Sequence, residues 1–223
     1  MKQLAAFFLV LLSLSACKKD TKTSPEIIIE PPVERRISSD TLTSGQQWGL
    51  TIGQASADLY AKIQEIRVQK QISYLGVVGN VFTSLDGLEN KIPLYASIYL
   101  DEKRGTSTGI QISFAENKVK SIFTNDGIAL NSWPANTGIV IGDKIEDIYQ
   151  KLVVIKKINY YASKFEHISI VFKDVNKAYD AQMSSSPQWY FIAPLDSKKY
   201  NIVQLNFTAG KLVSIYSAVF ERQ

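Results

Sequence analysis

Two reactive side chains occur once each in the 223-residue chain, Cys17 and His167. A structural zinc site built from cysteine and histidine needs four ligands, so these types alone cannot supply one. A single thiol forms no disulfide within the chain. His167 is the one imidazole available as a general base. Glu166 is its only acidic neighbour in sequence, and at the edge of a strand it reads as a surface or packing residue. Asp58 and Asp147 each stand near a helix start, where a carboxylate favours the positive end of the helix dipole. Asp101-Glu102 and Asp196 lie in loops but put too few oxygens at local spacing for an EF-hand-like calcium loop. No Gly-x-x-x-x-Gly-Lys-Ser/Thr phosphate loop and no Gly-x-Ser-x-Gly elbow occurs. Gly49 and Gly53 lack the further glycines of a dinucleotide fingerprint. The expectation is a protein without catalytic residues, metal ligands or a cofactor, and not an enzyme.

The surroundings of Cys17 are more informative. Lys2 gives a positive start and Leu4 to Leu14 an almost unbroken apolar run, too short for a spanning helix of about 20 residues. This is the pattern of a secretory signal peptide. Leu14-Ser15-Ala16-Cys17 resembles the lipobox of bacterial lipoproteins. That resemblance implies cleavage after residue 16, with Cys17 as the lipid attachment site. Each buried methylene contributes about 0.8 kcal/mol, so two or three chains hold a protein to a bilayer where one does not. Lys18-Lys19-Asp20 puts no aspartate directly after the cysteine, which by the enteric-type sorting rule favours the outer membrane. The expected location is the bacterial cell envelope, anchored by lipid.

Residues 17–47 hold Pro25, Pro31 and Pro32 among Ser, Thr, Lys and Glu. Such a stretch buries too little apolar surface to offset its ordering entropy, and predicts a disordered tether. With 25 basic and 21 acidic residues the chain carries only +4, and Arg35-Arg36, Lys156-Lys157 and Lys198-Lys199 are scattered. A nucleic-acid surface would be a clustered stripe, so no nucleic acid is expected as a partner.

The body of the chain contains internal similarity. Residues 49–63 align with 138–152 through Gly49/Gly138, Ile52/Ile141, Gly53/Gly142, Asp58/Asp147, Tyr60/Tyr149 and Lys62/Lys151. Residues 110–123 align with 203–216 through Gln111/Gln204, Phe114/Phe207, Lys118/Lys211, Ser121/Ser214 and Ile122/Ile215. The first pair of blocks predicts helices with apolar stripes, Leu59, Tyr60, Ile63 and Ile66 in one and Ile145, Ile148, Tyr149 and Leu152 in the other. Asp143 and Glu146 have capping-box spacing. Elsewhere the period is two: Ile98 and Leu100 alternate with Tyr99, Ile110 and Ile112 with Gln111, Ile168 and Ile170 with Ser169, Val203 and Leu205 with Gln204. Alternation predicts antiparallel strands, with turns at 115–118 and 208–211. Residues 173–187 read as a helical insertion. The expected fold class is α+β, two tandem repeats over 48–133 and 134–223, each an N-terminal helix packed on an antiparallel β-sheet.

A glycine-led helix followed by antiparallel strands, twice over behind a lipobox, resembles the tandem-repeat fold of the β-lactamase inhibitory protein. It is also similar to the small lipoprotein of the outer-membrane β-barrel assembly machinery, which has one such unit. The resemblance implies a non-enzymatic binding protein. Tyr95, Tyr99, Gln111, His167, Gln204 and Asn206 are expected on the sheet face away from the helices, as a surface for a protein or other envelope partner. Tyrosine supplies contact area at low entropy cost, and amides supply adaptable hydrogen bonds. Residues 67–91 are a candidate cover for that face. The alternative is a small-ligand-binding lipoprotein, with Tyr160, Tyr161, Trp189 and Tyr190 lining a cleft between the repeats.

Overall fold

The computed structural model of the protein describes residues 34–136 and 138–222. Cys17, the leader and the tether up to residue 33 lie outside the described residues. The described chain opens with β1 (Glu34–Leu42), β2 (Gln46–Gln47) and β3 (Leu50–Thr51), followed by α1 (Ser56–Lys70). Next come β4 (Tyr74–Val77), β5 (Val81–Phe82), β6 (Ser97–Asp101), β7 (Ile110–Ala115) and β8 (Lys118–Thr124). The short strands β9 (Ala129–Leu130), β10 (Ser132–Trp133) and β11 (Ile139–Val140) lead into α2 (Ile145–Lys156). After the single turn α3 (Asn159–Ala162) the chain runs through β12 (His167–Ser169), β13 (Phe172–Asp174), β14 (Gln188–Pro194), β15 (Lys199–Thr208) and β16 (Lys211–Arg222).

Strands hold 43% of the described residues and helices 22%, so the fold is mostly antiparallel β-sheet. The expected α+β fold of two tandem helix-on-sheet repeats is overturned. One six-stranded sheet has the order β1-β16-β15-β14-β4-β13 and the other β5-β12-β6-β7-β8-β9, so each draws strands from both halves of the sequence. The helices are exchanged as well. Leu59, Tyr60 and Ile63 of α1 share a core with Trp189, Val203 and Ile215, far downstream. Ile148 and Leu152 of α2 share the other core with Ile98, Ile112 and Ile122, upstream of it. Helix stripes and strand periods identify buried faces but do not say which sheet covers which helix.

The aligned blocks mark a repeated joint between helix and hairpin. Ahead of α1, Gly53 N donates to Leu212 O at 2.8 Å, Leu212 N to Gln54 O at 3.0 Å, and Ser56 N to Gly210 O at 3.0 Å. Ahead of α2, Gly142 N donates to Val119 O at 2.9 Å, Val119 N to Asp143 O at 2.8 Å, and Ile145 N to Asn117 O at 2.9 Å. Both hairpin turns have positive φ at their two central residues, Glu116 and Asn117 in one and Ala209 and Gly210 in the other. That is the turn whose twist matches paired strands. The capping box does not form: Asp143 precedes the N-cap Lys144, and its Oδ2 accepts from Val140 N at 2.7 Å.

Two further expectations fail locally. Residues 34–42, read as tether, are β1, paired with β16 from Glu34↔Arg222 to Leu42↔Ile215. The side chains of β1 are almost all exposed, so main-chain bonds to a free sheet edge order a segment that lacks an apolar face. The helix read over 173–187 is instead the end of β13, a loop and a 3₁₀ turn at Ala181–Ser185. Within residues 67–91, the candidate cover, Val77 to Val81 line a groove together with Tyr99 of β6. Leu85 and Leu88 enter the core alongside Ile98 and Leu100, on the opposite side from Tyr99.

Candidate functional site

Period-two alternation fixes which side chains leave the cores. Ile98 and Leu100 are buried, so Tyr99 between them faces away from α2. Trp189 and Phe191 are buried, so Tyr190 faces away from α1. Register then assembles two rows. Tyr99 lies opposite Gln111 on β7 and Ser169 on β12, and Gln111 lies opposite Phe123 on β8. Gln204 lies opposite Tyr190 on β14 and Tyr216 on β16, and Tyr190 lies opposite Gly76 on β4. Asn206 sits one step along the same face, between Gln188 and Ser214. Gln204 Nε2 donates to Asn206 Oδ1 at 2.9 Å, and Asn206 Nδ2 donates to Ser214 Oγ at 2.9 Å. Tyr99, Gln111, His167, Gln204 and Asn206 are all half-buried on this face.

Tyr95 is the exception. Strand β6 begins at Ser97, and the 3₁₀ turn Ile92–Leu94 just upstream interrupts the period. Tyr95 is 2% exposed and belongs to the α2 core, so it offers no surface to a partner. Its hydroxyl donates to Asp180 Oδ2 at 2.8 Å and accepts from Asn80 Nδ2 at 2.9 Å. Lys91 Nζ pairs with Asp180 Oδ1 at 2.7 Å. Beside them lies Lys173, fully buried, its ammonium 5.1 Å from the Tyr60 ring centroid and 5.8 Å from that of Tyr95. Burial lowers the Lys173 ammonium to about 8, against the attraction of Asp174 and Asp180. Burial and the neighbouring acids push the Tyr60 and Tyr95 hydroxyls well above the usual tyrosine range. These groups form a polar joint, with Tyr60 from one core and Tyr95 from the other.

On the opposite side, where the two sheets meet, lies a groove of about 690 Å³. Residues 74–82 and 167–174 run antiparallel as one ribbon from sheet to sheet. Val77 N donates to Val171 O at 2.8 Å, and Ile170 N to Asn80 O at 3.2 Å. Gly79, at φ +79°, allows the kink between β4 and β5. Gly76 is required by contact, since the Tyr190 ring lies where a Cβ would stand. The groove's apolar walls are Val78, Val81, Phe172, Tyr99 and Tyr190, and its polar end holds Arg104, Asn125, His167 and Ser169. Burial raises the Tyr99 and Tyr190 hydroxyls, so both stay protonated at neutral pH. Of the residues proposed for an alternative cleft, only Tyr190 reaches the groove. Trp189 is wholly buried, Tyr160 is 82% exposed, and Tyr161 packs against the α2 core.

His167 Nε2 and Ser169 Oγ are 3.2 Å apart, the spacing of a base and a nucleophile. Among the described residues no third group is hydrogen-bonded to the imidazole to orient it. Asp101 lies opposite His167 in register, but its carboxylate accepts from Thr106 N at 2.9 Å, from Glu102 N at 2.9 Å, from Asn125 Nδ2 at 3.2 Å and from Thr106 Oγ1. Burial alone would raise this carboxyl, but the bonds from Thr106 and Glu102 outweigh it and hold the group below its usual range. Asp196, a second acidic loop residue, likewise serves its own turn, accepting from Lys198 N and Lys199 N at 2.8 Å. Among the described residues no three His, Cys, Asp or Glu side chains cluster to hold a metal ion.

The sequence reading missed Phe172, Arg104 and the valines of the kink. An isolated glycine in a strand pattern, Gly76, signals close approach of another group. Nothing local told that the group would be Tyr190. Comparison with family models, curated proteins and solved structures finds no match to this chain.

Proposed function

We propose that this chain is a lipid-anchored protein of the bacterial cell envelope, a binding protein and not an enzyme, that engages a protein or other envelope partner through the sheet face away from its helices. The observation that carries the proposal is the half-exposed array of Tyr99, Gln111, His167, Gln204 and Asn206, joined across strands by Tyr190 and Tyr216. Its composition is that of adaptable recognition surfaces, aromatic area interleaved with amides and hydroxyls. Tyr95 takes no part. Among the described residues no helix is long and apolar enough to cross a membrane, and the attachment proposed is the lipid on Cys17. The leader sequence and the residues after Cys17 support the outer membrane as its site.

The test is photocrosslinking in cells, with p-benzoylphenylalanine replacing Tyr99 or Gln204 and, as control, the exposed Tyr160 on the helix side. A discrete adduct from the sheet positions and none from Tyr160 is expected. Absence of any adduct from Tyr99 and Gln204, or equal yield from Tyr160, would sink the proposal.

A further inference from the structure

The groove where the sheets meet carries an inference of its own, which stands whether or not the wider face binds a protein. Its volume, about 690 Å³, falls in the range of roughly 300–1,000 Å³ typical of small-molecule sites. Its walls are valine and aromatic side chains, and they are set by backbone constraints: the kink at Gly79 places Val78 and Val81, and the bare backbone of Gly76 seats Tyr190.

The charges at its polar end are unequal. Asp101 and Arg104 both line the groove, but they are not equivalent. Asp101 is 4% exposed and its oxygens are occupied by Thr106, Glu102 and Asn125, so it has no lone pair directed at a ligand cation. Arg104 is exposed and, among the described residues, makes no hydrogen bond and no ion pair within 4.0 Å. Its guanidinium is a planar fork of donors suited to a carboxylate or sulfonate. The His167–Ser169 pair lies nearby and adds further hydrogen-bonding capacity.

We propose that this groove binds a small organic anion with an apolar body, the body against Val78, Val81, Phe172 and the two tyrosines, and the acid group on Arg104. A neutral apolar compound would fill the walls but leave the guanidinium unused, and a cation would find no free carboxylate.

The test uses a matched pair of fluorescent probes with the full chain: 1-anilinonaphthalene-8-sulfonate and its uncharged counterpart N-phenyl-1-naphthylamine. Arg104→Gln is expected to weaken the sulfonate about tenfold, as befits loss of a charged hydrogen bond, and to change the neutral probe less than twofold. Ser169→Trp, which fills the groove, is expected to abolish binding of both. Val81→Trp serves as a second filling variant should the first lose its cooperative thermal transition. Sulfonate binding that survives both filling variants, that is absent from the parent chain, or that falls no more than neutral binding in Arg104→Gln overturns the proposal. Because the readout is small-molecule binding, its failure is separate from failure of the crosslinking experiment.

Discussion

The joint that seats α1 and the joint that seats α2 share their backbone bonds and differ in their side chains. Gly53 and Gly142 both stand at φ +93°, and each is followed by a residue whose side chain accepts a backbone N–H three residues earlier. At α1 that acceptor is the neutral Gln54, bonded to Thr51 N at 2.8 Å, and Lys62 turns to Glu65 at 2.6 Å. At α2 it is the charged Asp143, and the matching Lys151 pairs with it. The matched tyrosines diverge further. Tyr149 is half-buried against its core, whereas Tyr60 is 1% exposed and donates to Asp174 O at 3.1 Å and Lys177 O at 2.8 Å. The backbone device is common to both joints, and the side chains have adapted to different neighbours. Only Tyr60 reaches the polar joint between the cores.

The largest effects should come from the helix stripes. Leu59→Ala and Ile148→Ala, at matched and fully buried positions, are each expected to cost about 2–5 kcal/mol in urea denaturation. A cost below 1 kcal/mol at either position would break the equivalence of the two joints.

Next comes the asymmetry at Tyr60. The buried Lys173 titrates at about 8 when folded, against 10.5 when free, so folding disfavours its charged form. The penalty is fully present below pH 8 and disappears as pH rises past 10.5. At 1.36 kcal/mol per unit it amounts to about 3 kcal/mol. Lys173→Met removes it, so the stability of the variant relative to the parent should fall by about that amount between pH 7 and pH 11. Tyr60 and Tyr95 ionise late in both proteins, and the comparison of the two curves sets their effect aside. A difference that does not vary with pH would contradict the buried charge.

Gly53→Ala and Gly142→Ala should each cost about 1–3 kcal/mol, because φ near +93° strains any residue with a Cβ. Comparable thermal shifts are expected from the two, and a neutral outcome at one would show that its joint relaxes. The smallest effect belongs to Asp143→Asn, which keeps an acceptor for Val140 N but removes the half-exposed ion pair to Lys151. It should cost less than about 1 kcal/mol and make the α2 joint resemble that of α1.

Much of this was legible in the sequence. The alternation around Tyr99, Gln111 and Gln204 gave the faces of β6, β7 and β15, and the paired glycines marked both joints. Partnership between distant segments was not legible. A helix stripe such as Leu59-Tyr60-Ile63 specifies an apolar cover and is satisfied by any sheet of the right width, so proximity in sequence suggested the wrong one. Period two also failed at Tyr95, because a 3₁₀ turn upstream carries no hydrophobic signature. The polarity of β1 points to a tether because its stabilising bonds are main-chain bonds, to which side-chain polarity is blind. The groove arises from strands crossing between sheets, a property of the tertiary fold alone.

The exchange of helices between sheets can be tested most directly by dividing the chain. Residues 34–133 hold α1 without β14–β16, and residues 134–223 hold α2 without β6–β8. Each should lack a cooperative unfolding transition and dispersed amide resonances when alone, and mixing the two should restore both. A sharp, independent unfolding transition in either fragment would contradict the exchange and return the protein to sequential units.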